Sequence, residues 1–227
     1  MAIIKMGAVV TDIRNSLGGH VFSRGRSGAI MRTKVTPLNP QTTFQQASRA
    51  KLAAISTQWR GLTEDQRIAW NNAVENFLGT NVFGDSVRPT GKNLFTGLNI
   101  NLLNIDRPTI TDPPLPVSIT SVDITSFSGA AGIPALDFVQ DGTNGSQDML
   151  ISCTAALSSG VAFVSSEFRI IVEVGMVFAG NKNILDVYNT RFGALIAGTK
   201  LFLKVVPINI NTGQAGIPEI ISTIIAA

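Results

Sequence analysis

The hydrophobic pattern of this chain changes at one proline-rich stretch, and that change limits its possible folds more than any other feature. Before Arg107–Pro116, apolar residues recur every three to four positions, which predicts amphipathic helices. After Val117 they alternate with polar residues, which predicts strands. The stretch itself holds four prolines and predicts a stiff, extended linker. We therefore predict an α+β fold in which helices and strands occupy separate parts of the sequence.

The helical region is predicted to span residues 41–106. Thr-x-x-Gln capping boxes at Thr42 or Thr43 and again at Thr63 predict the starts of two helices that form a hairpin. A third, shorter helix is predicted over residues 92–105, where apolar residues follow helical spacing.

Residues 117–227 are predicted to form an antiparallel β-sandwich of the immunoglobulin or fibronectin type, because short alternating segments are separated by turn residues. No helix is predicted in this part. The sequence Asp-Gly-Thr-Asn-Gly at 141–145 predicts a hairpin between the second and third of these strands. The predicted strands are 117–126, 134–140, 148–156, 168–177, 194–206 and 217–225.

The first 40 residues are predicted to form a glycine-rich, basic arm. Two alternating segments, His20–Ser23 and Ala29–Val35, predict a short hairpin whose turn lies between Gly25 and Gly28. An isolated hairpin is marginally stable in water, so we expect this one to pack against something else.

Charge is distributed unevenly along the chain. Residues 1–60 contain nine lysines and arginines and one acid, Asp12, whereas residues 111–227 contain five bases and nine acids. This asymmetry indicates electrostatic docking on a nucleic acid or on the acidic body of a neighbouring copy. The simplest alternative is a solvated arm that only keeps the chain soluble.

Composition and motifs argue against an enzyme. Charged residues make up only 15% of the chain, and it has one cysteine, Cys153, and one histidine, His20. These counts exclude an internal disulfide, a thiolate metal cage and a multi-histidine metal site. Phosphate-loop, nucleophile-elbow and zinc-protease motifs are absent from the sequence. We therefore predict no catalytic, cofactor-binding or metal-binding residues and no cofactor, and we interpret Cys153 as a core residue.

No membrane partner is predicted either. The longest uncharged stretch in the second half, Met149–Ser166, is interrupted by serines, a threonine and a glycine. A spanning helix needs about 20 mostly apolar residues.

Four motifs in the first half carry a resemblance to a known family. The patterns are GG-x-V-F-S-R from Gly18, P-x-N-P-x-T from Pro37, W-R-x-L-T-x-x-Q-R-x-A-W from Trp59 and G-x-N-L-F-x-x-L-N-x-N-L from Gly91. In this order and spacing the chain resembles small virion structural proteins of tailed bacteriophages and prophages. The resemblance covers about residues 14–104. It implies a virion component made in the host bacterial cytoplasm, without indicating head, neck or tail.

The leading hypothesis is a structural subunit that docks on other copies of itself and on other virion proteins. A DNA-binding or packaging-associated module that uses the basic arm is the first alternative, and it would give at least weak nucleic-acid contact. A host-surface adhesin is the second, although residues 117–227 hold no tryptophan for a glycan platform. The predicted assembly contacts are Arg14, Phe22, Arg24, Arg26, Arg32, Lys34, Trp59 and Trp70.

Overall fold

A computed structural model describes residues 2–4, 7, 9–25, 28–36, 38–80, 86–132, 136–141, 145–174 and 180–227. These residues contain both helices and antiparallel sheets, so the predicted α+β class is confirmed. The chain divides into two compact units, residues 1–46 and residues 47–227.

The first unit contains a four-stranded antiparallel sheet in the order β1-β4-β3-β2. The predicted hairpin is confirmed, because β3 pairs with β4 and places Phe22 opposite Met31. A two-residue turn joins β2 to β3, and Gly18 enters it with a φ of 56°, a left-handed value that favours glycine. The strands are β1 (Ala2–Ile4), β2 (Asn15–Leu17), β3 (His20–Gly25) and β4 (Gly28–Thr33).

Helices occupy the next part of the chain, close to their predicted bounds. The capping box at Thr63 is confirmed: its side chain accepts from Gln66 N, and the Gln66 side chain accepts from Thr63 N. Thr90 caps the third helix in the same way, by accepting from Asn93 N. The elements are α1 (Thr43–Gly61), α2 (Glu64–Ala73), a 3-10 turn (Val74–Asn76), the paired strands β5 (Gly79–Thr80) and β6 (Ser86–Val87), and α3 (Gly91–Asn104).

Two antiparallel sheets follow residue 117. One has the order β10-β9-β12-β13 and the other the order β11-β8-β7. A parallel bridge between Ala130 and Ala226 joins the end of the last strand to the second sheet. The elements are β7 (Asp123–Gly129), β8 (Leu136–Asp141), β9 (Gln147–Cys153), β10 (Arg169–Val174), β11 (Gly180–Asn183), α4 (Leu185–Phe192), β12 (Lys200–Asn209) and β13 (Glu219–Ile224).

The prediction that this part contains no helix is wrong, since α4 lies within it. Asn183 Oδ1 accepts from Leu185 N at the helix start, and the Tyr188 ring is fully buried among strand residues. Tyr188, with Leu185 and Phe192 of the same helix, packs on the strands and stabilises this eight-residue helix, and a short sequence window does not reveal such tertiary packing.

The predicted hairpin between β8 and β9 is also wrong. The two strands belong to different sheets, so the chain crosses from one sheet to the other between them. Residues 142–144 of the predicted turn lie outside the described residues. Because β9 is buried on both faces, it takes a central position between β10 and β12.

Three clusters of buried side chains form the core of the second unit. The first joins strands of both sheets with α4, the second joins the three helices, and the third joins α3 to the strands. In the third cluster, Leu102 and Ile105 pack with Ile208 of β12.

Residues 109–112 of the proline-rich stretch are held against the helices by hydrogen bonds. The Asn99 side chain is buried, accepts from Ile110 N at 2.7 Å and donates to Ile110 O at 3.2 Å. Trp70 Nε1 donates to Thr111 O at 2.7 Å. Residues 110 and 111 belong to no helix or strand, so these side chains supply hydrogen-bond partners for their backbone groups.

Polar contacts also link this stretch and α3 to the strands. Arg107 Nε donates to the Asp148 carboxylate at 2.8 Å, and the Asp148 side chain is 2% exposed. The hydrogen bond and the charge of Asp148 raise the pKa of Arg107. Asn101 Nδ2 donates to Gly213 O at 2.9 Å. The predicted division at 1–40, 41–106, 107–116 and 117–227 stays a prediction, but contacts cross its third boundary.

Gly213 lies where the turn after β12 meets α3, and its substitution tests that junction. Its φ is 71°, and an added Cβ would meet the Leu98 carbonyl group and the Leu102 side chain. We expect Gly213→Ala to lower the free energy of unfolding by at least about 2 kcal/mol in urea titrations. Gly198→Ala is the matched control, because Gly198 has a φ of 75° with open space around it. In this control, the free energy of unfolding should fall by only about 1 kcal/mol, the cost of a left-handed backbone at a non-glycine residue. Equal losses of unfolding free energy in the two variants would contradict close packing at Gly213.

Candidate assembly surface

Three of the eight predicted assembly contacts, Phe22, Arg24 and Arg32, lie on the sheet of the first unit, which we call the arm sheet (β1 to β4), and Arg14 and Lys34 lie next to its strands. Residues directly opposite each other in an antiparallel pair share a face, and neighbours along a strand alternate between faces. The register therefore assigns each described side chain to one of two faces.

The first face, called the Phe22 face, combines apolar side chains with one arginine. Phe22 lies opposite Met31, and Arg24 lies opposite Ala29. Leu17 of β2 lies opposite His20 and is 70% exposed.

The second face, called the Val21 face, also combines apolar side chains with one arginine. Val21 lies opposite Arg32, and Ser23 lies opposite Ile30. Val21 and Ile30 are diagonal neighbours, close enough to form one small apolar patch. Sequence reasoning identified Arg32 but missed Val21 and Ile30. The sequence signal for these two residues is the consecutive apolar pairs Val21-Phe22 and Ile30-Met31. A strand with one face in solvent alternates apolar and polar residues, so such pairs indicate apolar side chains on both faces.

The arm sheet has no hydrophobic core among its described residues. None of the described side chains within residues 7–46 is buried, and the three core clusters all lie within residues 55–225. A small sheet needs an apolar face packed on another layer for stability. The arm sheet is therefore incomplete as a packing unit.

The positive charges of the arm sheet are mostly uncompensated. Arg14 Nε forms an ion pair with Asp12 at 2.8 Å. Asp12 is the single acidic residue among the first 60. Arg24, Arg32 and Lys34 are exposed, and no described carboxylate pairs with them. Arg26, the remaining predicted arginine contact, lies outside the described residues.

The two tryptophans lie in the helical core instead of on the arm. Trp70 is fully buried and meets Phe95 edge-on, with ring centroids 5.2 Å apart. Trp59 is half-buried and packs on the same Phe95 ring at 5.3 Å. Of the two residues, only Trp59 is partly accessible to solvent.

A second apolar surface lies in the second unit. A groove of about 310 Å³ follows the outer side of β12 and β13. Phe163 at its rim is 78% exposed, and Lys200 Nζ lies 5.1 Å from the centroid of the Phe202 ring. The groove is lined by Ala162, Phe163, Val164, Phe202, Ile220 and Ser222.

Two buried groups of the second unit, the Cys153 thiol and the Tyr188 hydroxyl, have raised pKa values. Cys153 is buried, and burial raises its thiol pKa to about 12, against a weaker opposing effect of the Thr154 backbone hydrogen bond. Burial likewise raises the pKa of Tyr188 to about 12. Within the described residues, histidine, cysteine and acidic side chains form no group of three or more that could hold a metal ion.

Across the described ranges, no helix is long and apolar enough to cross a membrane. Comparison of the chain with protein families, with curated proteins and with solved structures gives no match.

The core position of Cys153 can be tested with a thiol reagent. A pKa near 12 leaves roughly a thousandfold fewer thiolates at pH 8 than an ordinary cysteine has. We expect native protein to react very slowly with a disulfide reagent and to release one equivalent at once in denaturant. Ser165→Cys adds an exposed thiol, and this control variant should react promptly in the native state. Rapid modification of the native wild-type chain would contradict the buried position.

Proposed function

We propose that this chain is a structural subunit of a tailed-bacteriophage virion, in the head, neck or tail, and that it acts by docking its arm sheet on other subunits. One observation supports this most: the arm sheet carries apolar side chains and arginines but buries none of its described side chains. Groups that a chain leaves uncovered in this way are typical of surfaces completed by a partner. The four motifs within residues 14–104 provide the link to virion proteins.

The proposal assigns the contact to the described basic and apolar residues of the arm sheet. Phe22, Arg24 and Arg32 are its central members, with Arg14 and Lys34 at the periphery. Trp59 is half-buried and contributes at the edge of the contact, whereas Trp70 acts indirectly by supporting the helical core. The partners are other copies of the chain and other virion proteins, and no enzymatic step is part of the proposal.

We also propose that the two sheets after residue 117 are the layers of an immunoglobulin-like or fibronectin-like sandwich. Ile124 and Phe127 of one sheet share a buried cluster with Ile151 and Leu203 of the other, which supports this arrangement. The helix α4 contributes Tyr188 to the same cluster, which is an addition to the simple two-layer plan.

Nucleic-acid binding is the alternative function with an observation in its favour. Residues 13–63 contain eight lysines and arginines and no acid, and such a stretch attracts phosphates. Arg24 and Arg32, however, belong to opposite faces of the arm sheet. A duplex approaching one face would contact only part of this charge and would leave the apolar side chains in water.

Removing the arm tests the docking role. We expect a chain without residues 1–36 to keep its fold, because every core cluster lies beyond them. Tagged full-length and truncated chains would be expressed in cells that produce the particles, and the particles would be isolated on a density gradient. The full-length chain should sediment with the particles, and the truncated chain should stay in the unassembled fraction with an unchanged thermal midpoint.

The outcomes of that experiment separate two parts of the proposal. Absence of the full-length chain from the particles would overturn the virion role. Incorporation of the truncated chain at the normal level would instead overturn the docking role of the arm.

Salt dependence separates protein docking from DNA binding. If about five phosphates were contacted, the logarithm of duplex affinity would fall with the logarithm of salt with a slope near −4.5. We expect only weak binding that becomes negligible at physiological salt, measured by fluorescence anisotropy with a labelled duplex. Arg24→Glu with Arg32→Glu should then block particle incorporation. Sub-micromolar, steeply salt-dependent binding by the wild-type chain would favour the nucleic-acid function.

A further inference from the structure

The arm sheet differs from an ordinary surface sheet because both of its faces are partly apolar. Phe22 and Met31 lie on one face, and Val21 and Ile30 lie on the other. All four side chains are only half-buried. A sheet with one solvated face alternates apolar and polar residues, whereas consecutive apolar residues belong to strands that are covered on both sides.

The same chain contains a strand in which this pattern is satisfied. The consecutive apolar residues Met149, Leu150 and Ile151 of β9 contribute to buried clusters on both sides of their sheet. In the arm sheet the run Ala29-Ile30-Met31 has the same pattern without buried side chains. The comparison indicates that two covering layers are missing from the arm sheet.

Charge identifies the covering layers. Each face presents one exposed arginine, Arg24 on the Phe22 face and Arg32 on the Val21 face. Residues 111–227 hold nine of the fifteen acids of the chain, and the exposed ones include Asp112, Asp123, Glu167 and Asp186. A surface that combines carboxylates with apolar groups complements both faces, whereas a nucleic-acid duplex keeps its base faces stacked inside and presents mainly phosphates and sugars to Val21 and Phe22.

We propose that the arm sheet inserts between surfaces of other copies of this chain that carry exposed carboxylates, so that both of its faces are buried on assembly. This inference rests on the proposed assembly function and names its partner and its geometry. The contact joins different surfaces of identical chains, so it is heterologous and generates a ring or an open helical array.

Single substitutions on each face of the purified full-length chain test the proposal. Phe22→Ser removes an apolar group from one face, and Ile30→Ser does so from the other. Leu38→Ser is the matched control, because Leu38 is 93% exposed and lies outside the strands. Weight-average mass would be measured by sedimentation velocity over a wide concentration range.

We expect the wild-type mass to rise with concentration. Each face variant should need about tenfold more protein for half-assembly, as expected when a central interface residue is truncated. The control should match the wild type. Thermal midpoints should be unchanged, because no core cluster includes these residues.

A second set of variants excludes simple loss of the arm sheet. Arg24→Glu and Arg32→Glu change exposed charges without removing apolar contacts within the sheet, and each should also weaken assembly. Arg24→Lys and Arg32→Lys keep the charge and should restore assembly to within about twofold of the wild type, since surface charge pairs contribute modestly.

The outcomes are distinct from those of the particle experiment. Effects confined to one face would overturn insertion and leave one-sided docking. A wild-type chain that stays monomeric at every concentration, although it sediments with particles in cells, would show that copies of this chain do not cover the arm sheet. That result would overturn this inference while the virion function stands.

Discussion

The arrangement of the second unit depends on one buried amide, the side chain of Asn99. It donates to Phe95 O within α3, and it both accepts from and donates to the backbone of Ile110. A buried polar group without partners is costly, so these bonds set the path of the chain as it leaves the helices. The backbone of Thr111 then meets Trp70 Nε1, so residues 109–112 of the proline-rich stretch lie against the helices.

The helices and the strands depend on each other because of this path. Arg107 reaches the buried carboxylate of Asp148, which would be unpaired without it. The turn at Gly213 approaches the Leu98 carbonyl group of α3 so closely that only glycine fits. A charge pair, a close backbone contact and the apolar cluster around Ile208 therefore join the two parts of the second unit.

The first unit follows the opposite principle. Its strands are paired and in register, yet none of its described side chains within residues 7–46 is buried. Backbone hydrogen bonds alone give a small sheet little net stability, because water satisfies the same groups in the unfolded chain. Such a sheet gains stability when a partner covers it, and this property connects the arm to the assembly role that we propose.

The sequence by itself determined the features that depend on neighbouring residues. The capping box at Thr63, the hairpin of β3 and β4, the core position of Cys153 and the basic residues Arg24 and Arg32 were all visible in short windows. Tertiary structure decided the separation of β8 from β9, the helix around Tyr188, the attachment of residues 109–112 and the placement of Arg24 and Arg32 on opposite faces. Each of these depends on partners that lie outside a local window, as in the bond between Asn101 and Gly213 across 112 positions. Helix caps and strand alternation are local properties, whereas strand partners and burial are chosen by the packing energy of the whole chain.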